Sequence, residues 1–138
     1  MPRILFLLIL ALALAGCSTG AEGDWVLTSI TYEGGSVDLP AEETMTIADG
    51  RASGSSGCNT YSGQIDRDGD EVVLSGVAVT ERFCEDTDVM ALEARYLEAL
   101  VANRWVATVD GDRLTMVAQP PAPGDPAPGP ELGFEAAA

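Results

Sequence analysis

The stretch GSSGCNTYSG, residues 54–63, sets three glycines and three serines around one cysteine, one asparagine and a single aromatic ring. Its reading decides the fold. Gly54 and Gly57 permit backbone positions or approach distances that a side chain forbids. Asn59 tolerates left-handed conformations and bonds neighbouring backbone groups, which suits a turn. Tyr61 then points a large ring inward, and Ser62-Gly63 relaxes the chain again. Catalytic readings fare worse. A nucleophilic serine needs a base, and the chain has no histidine. Residues 54–58 also miss the G-x-S-x-G elbow, because its last glycine position is occupied by Cys58. A nucleophilic Cys58 lacks a partner to lower its pKa. A phosphate cradle calls for a lysine and a helix directly after the glycines, and neither is there.

On both sides of this stretch the chain reads as strands. Residues 24–32, DWVLTSITY, are rich in β-branched and aromatic side chains, and Gly34-Gly35 breaks them. Residues 43–48 alternate, with Met45 and Ile47 on one side and Thr44 and Thr46 on the other. Asp49-Gly50 supplies a hairpin turn into a return strand from Arg51. A second pair, Asp68-Gly69, lies between strands at 61–66 and 71–74, and Gly76 marks a bend or bulge before 77–80. A third, Asp110-Gly111, joins 104–109 to 113–117. One segment breaks the pattern. In 88–103, Val89, Leu92, Tyr96 and Leu100 recur at helical spacing, Glu93 and Glu98 fall on the outer face, Thr87 or Asp88 caps the start and Asn103 stops it. An antiparallel sheet covered by one amphipathic helix is the expectation.

The two ends read differently. Residues 1–16 hold a short n-region with Arg3, an uncharged apolar run over 4–14 and then small residues, the layout of a secretory signal. The run is short for a transmembrane anchor, the alternative reading. Residues 14–17, Leu-Ala-Gly-Cys, resemble the lipobox of bacterial lipoproteins at all four positions. That resemblance implies cleavage before Cys17, a lipid thioether on Cys17 and an N-terminus acylated with a chain such as palmitate; an ordinary signal with Cys17 incidental is the alternative. Several acyl chains together hold a domain at a membrane. The protein is thus expected to be exported and lipid-anchored to the cell membrane or outer membrane, with 17–22 as linker. Residues 119–138 carry six of the eight prolines with much alanine and glycine, and read as a disordered tail in which Leu132 and Phe134 are the candidates for docking.

One domain, 23–118, remains, long enough for a modest single core. The formal charge is −15, and losing Arg3 with the signal takes the mature chain to −16. Without lysine, clustered phosphate neutralisation is out of reach, which excludes nucleic-acid binding and electrostatic attachment to anionic lipid. Membrane attachment then falls to the lipid, and the acidity serves solubility. Of the three cysteines, lipidation of Cys17 leaves Cys58 and Cys84, expected to form a disulfide. Closing a loop of about 25 residues is worth about 3–4 kcal/mol on the chain-entropy account. Alternating carboxylates at 66–71 invite a calcium reading. The sixth position of such a loop is Glu71 and the twelfth Gly76, against the glycine and glutamate an EF-hand wants, so a solvated hairpin tip is the better reading. Arg51, Arg67, Arg82, Arg104 and Arg113 would mark an anionic ligand only if clustered; pairing with local carboxylates is expected.

The order of these elements carries a resemblance. Trp25-Val26-Leu27, then SGSSGCNTYSG, Thr80 shortly before Cys84, a helix with Tyr96-Leu97 and a last hairpin ending in Arg113-Leu114-Thr115 together resemble the META, or HslJ-like, domain of bacterial envelope lipoproteins. The most specific part is Ser56, Gly57, Cys58, Asn59, Tyr61, Ser62 and Gly63. The resemblance implies a mainly β fold, a small, strongly curved, barrel-like antiparallel sheet with one packed α-helix. It implies no enzymatic activity, no cofactor and no metal. A non-enzymatic binding or assembly module linked to envelope stress, engaging an envelope protein, is the functional expectation. A structural accessory factor without a specific ligand and a weak calcium-binding module are the alternatives.

Overall fold

The computed structural model describes residues 20–119, 124 and 129–138. The expected signal at 1–16, the expected lipid site Cys17 and most of the proline-rich run lie outside the described residues. β1 (Gly23–Tyr32) is followed by a two-residue β2 (Gly35–Ser36), β3 (Thr44–Ala48), β4 (Arg51–Ser55), β5 (Thr60–Asp68) and β6 (Glu71–Val79). After the helix α1 (Thr87–Ala102) come β7 (Trp105–Asp110), β8 (Arg113–Ala118) and β9 (Glu131–Ala136). β2 extends one end of β1, and the rest form an antiparallel sheet in the order β1-β3-β4-β5-β6-β7-β8-β9. β9 then pairs back onto β1, which closes an eight-stranded barrel.

Period-two alternation builds the barrel interior. Met45 and Ile47 of β3 are buried while Thr44 and Thr46 are half-exposed, and Leu114 and Met116 of β8 follow the same rule. At Asp49-Gly50 both φ angles are positive, 52° and 71°, and Ala48 pairs with Arg51, the pattern of a type I′ hairpin. The expected bulge is present: the β5–β6 register slips between Ser62 and Gln64, opposite Gly76. The helix spans the gap between β6 and β7, which pair only at Glu71 and Val72. Its start is capped by Asp86, whose carboxylate accepts from the Asp88 and Val89 amides at 2.9 and 3.2 Å, rather than by Thr87 or Asp88.

The reading of 119–138 as a disordered tail does not hold for residues 129–138. β9 pairs with β1 through six register positions and with β8 through five, and Leu132 and Phe134 are fully buried. The segment Glu-Leu-Gly-Phe-Glu-Ala alternates like any strand with one face on a core, and without it β1 and β8 would both be open edges. The domain therefore exceeds 23–118. It also begins earlier: Ala21, assigned to the linker, is buried, and its carbonyl accepts from the Trp25 indole at 2.9 Å.

Candidate functional site

The glycine-serine stretch ends β4, turns, and starts β5. Gly54 sits where any Cβ would collide with the Thr44 carbonyl, and Gly57 takes φ +91° with Glu43 Oε1 2.9 Å from where its Cβ would be. Both are positions where only glycine fits. Between them Ser56 bridges to Glu43. Ser56 and Asn59 are buried, and one acidic side chain of the helix satisfies both: Glu93 Oε2 accepts from the Ser56 hydroxyl and from the Asn59 amide, each at 2.8 Å. Glu93 Oε1 accepts from Asn59 Nδ2 at 2.6 Å. Asn59 Oδ1 in turn accepts from the Thr80 hydroxyl at 2.9 Å and the Arg82 amide at 2.6 Å. Asn59 thus ties the turn to the helix and to the chain leading into it.

Cys58 and Cys84 form a disulfide beside this network, with Cα atoms 6.0 Å apart and a sequence separation of 26. Replacing both cysteines by serine is expected to lower stability by about 3–4 kcal/mol, read as a shift of the urea midpoint, and reductant is expected to reproduce it in the parent protein. Equal midpoints with and without reductant would contradict this.

Behind the turn lies a second layer. The Tyr61 hydroxyl donates to the Thr44 carbonyl at 2.8 Å, so the Tyr96 hydroxyl, 2.8 Å away, donates to Tyr61. The two rings meet edge to face with centroids 5.7 Å apart. Glu43 is fully buried next to them, and neither of its carboxyl oxygens has a hydrogen-bond partner among the described residues. Burial, and secondarily the nearby Glu93 carboxylate, push its pKa up to about 8, so it is a neutral acid at neutral pH. Burial raises both tyrosines as well, with Glu43 adding to each.

This cluster has perturbed groups of the kind active sites use. Solvent, however, does not reach it: Glu43, Ser56 and Tyr96 are at 0 % exposure and Glu93 at 6 %. The outer face of the same stretch lines an open depression of about 560 Å³ with Thr44, Thr60 and Val79. The arrangement fixes the geometry of the turn against the helix. Ser62 is half-buried, and Gly63 lies inside opposite the bulge.

The sequence reading assigns two residues of this site no part in it. Glu93 was expected on the outer face and is buried, and Glu43 was not singled out. The spacing held the signal in both cases. Glu43 continues the Met45/Ile47 alternation, and Glu93 lies four residues after Val89 and three before Tyr96, on the apolar face. Of the arginines, Arg104 pairs with Glu71 and Arg113 with Glu135 at 3.6 Å. Among the described residues no three acidic or cysteine side chains are grouped as metal ligands, and no helix is long and apolar enough to cross a membrane.

A closed, helix-covered antiparallel barrel tied at its signature turn by a disulfide defines the class. The family model described as the META domain matches residues 18–123, and the chain belongs to the META domain family. The match stops short of β9, the strand that closes the barrel. Two solved structures share the fold. An NMR structure of a protein from Burkholderia xenovorans is 23% identical, with a TM-score of 0.68 over 84% of this chain and 82% of that one. A second NMR structure is 20% identical, with a TM-score of 0.59 over 83% of this chain and 89% of that one. No curated protein matches.

Proposed function

We propose that this META-domain protein is a non-enzymatic, lipid-anchored binding or assembly module of the bacterial cell envelope, serving envelope stress. The observation that carries this reading is the sealed signature turn: Ser56 and Asn59 spend their polar groups on Glu93, Thr80 and Arg82, inside the fold. Residues so committed hold a surface in shape and leave recognition to what that surface presents. The disulfide supports export to an oxidising compartment. The Leu-Ala-Gly-Cys stretch supports attachment through lipid on Cys17.

The absence of lysine makes the test clean. Carbodiimide couples carboxylates to amines, so with its N-terminal amine acylated this chain is joined in native envelopes only through its own acids to amines of something else. A discrete adduct of fixed mass, with palmitate label and membrane fractionation both lost in Cys17→Ser, is the expected result. Absence of any adduct would favour the structural accessory reading, and retention of label in Cys17→Ser would remove the anchor. Calcium is expected to leave the melting temperature unchanged.

A further inference from the structure

We infer that the loop at residues 80–86 is a docking element whose occupant is a protein with an apolar pocket rimmed by cationic side chains. The inference rests on the binding-module reading and gives that module its contact surface.

Phe83 is 85 % exposed, the most exposed large apolar side chain among the described residues. A lone exposed ring needs no explanation by itself. Here the backbone under the ring is held from both sides. Before it, the Arg82 amide donates to Asn59 Oδ1 at 2.6 Å and the Arg82 carbonyl accepts from Asn59 Nδ2 at 3.3 Å. After it, Cys84 is bonded to Cys58, and Asp86 caps the helix. The buried turn, the disulfide and the cap thus converge on a residue that touches little of the fold it projects from. Ordering such a loop is a main cost of binding, and here it is met in advance. Rigid aromatic anchors seated in pockets are where interfaces concentrate their affinity.

Charge selects the occupant. Glu81, Glu85, Asp86 and Asp88 are exposed in the segment that carries the ring, where Arg82 is the one cation between residues 80 and 88, so a complementary rim is cationic. A lipid surface is the rival occupant, and position argues against it. The Thr80 amide bonds the Thr60 carbonyl at the start of β5, whereas Gly20 and Ala21 lie beside Gly69, just past the other end of that strand. The loop is therefore at the opposite end of the barrel from Gly20, three residues after the proposed lipid site. It is acidic besides, which anionic lipid repels.

A photoreactive benzoylphenylalanine placed at position 83 of the full chain, with positions 51 and 108 on the barrel wall as controls, tests this in intact cells. A protein is expected to crosslink at 83. The purified pair is expected to weaken at least ~30-fold with Phe83→Ala and less than ~3-fold with Phe83→Trp. Glu81→Gln with Glu85→Gln is expected to slow association at low salt. An unchanged melting temperature in Phe83→Ala separates loss of contact from loss of fold. A partner that crosslinks at 51 or 108 and binds Phe83→Ala with unchanged affinity overturns the loop and leaves the binding module standing. Crosslinks from 83 to phospholipid overturn it in favour of lipid. Silence at all three positions overturns the loop alone if carbodiimide adducts form, and both readings if they do not.

Discussion

Glu43→Gln is expected to flatten the pH dependence of folding between about pH 4.5 and pH 8. The folded protein holds the Glu43 proton up to about 8, whereas the ordinary value, that of the unfolded chain, is 4.5. Below the lower value both states carry the proton, and the acid contributes its full stabilisation. Between the two values the unfolded chain has released a proton that the folded chain keeps, so stability falls as pH rises, and it levels off once the folded form ionises too. The span corresponds to roughly 5 kcal/mol, an order-of-magnitude figure from 1.36 kcal/mol per pKa unit. That is comparable with the whole stability of a small domain, about 5–15 kcal/mol. Glutamine keeps the shape and cannot ionise. It adds a constant offset, so the slope and not the absolute value is the readout. Urea unfolding at intervals from pH 5 to 9, disulfide intact, gives that slope for both proteins. Parallel profiles would mean that Glu43 ionises as easily inside as outside.

Ending the chain before β9 is expected to abolish cooperative folding. Leu132 and Phe134 are at 0 % and 1 % exposure, and burying each is worth about 1.5–3 kcal/mol. Their loss also opens both seams of the barrel, since β9 is bonded to β1 and to β8. Two edges with unpaired amides and carbonyls then face water or a second molecule, which invites aggregation. A chain stopped at residue 128 should show no sharp thermal transition and should bind a hydrophobic dye; Phe134→Ala alone should cost about 3–5 kcal/mol. A truncated chain melting within a few degrees of the full one would show that the barrel closes without its last strand.

What the sequence made legible follows from how local each signal is. Hairpins announced by Asp-Gly pairs, the alternation in β3 and the helical spacing of Leu92, Tyr96 and Leu100 are contained within a few residues, and they appear where expected. The cysteine pairing rested on elimination and is present in the fold. Two things escaped for one reason, an average overruling a pattern. β9 was hidden by the prolines before it, although Leu132 and Phe134 alternate. Glu43 and Glu93 were hidden by their charge, although both keep the spacing of buried neighbours. The contact between Glu93 and Asn59 spans 34 positions, and no local rule pairs them.

Closing the barrel with β9 also brings the two ends of the described chain together. The Ala137 amide bonds the Asp24 carbonyl, and Ala136 faces Trp25. A short bridge from Ala138 to Gly20 would need to cross little distance, so circular permutants cut at an exposed hairpin such as Asp49-Gly50 should keep the same barrel. By the same geometry, a reporter fused after Ala138 emerges beside the first strand, on the side away from Phe83, and leaves that loop unobstructed.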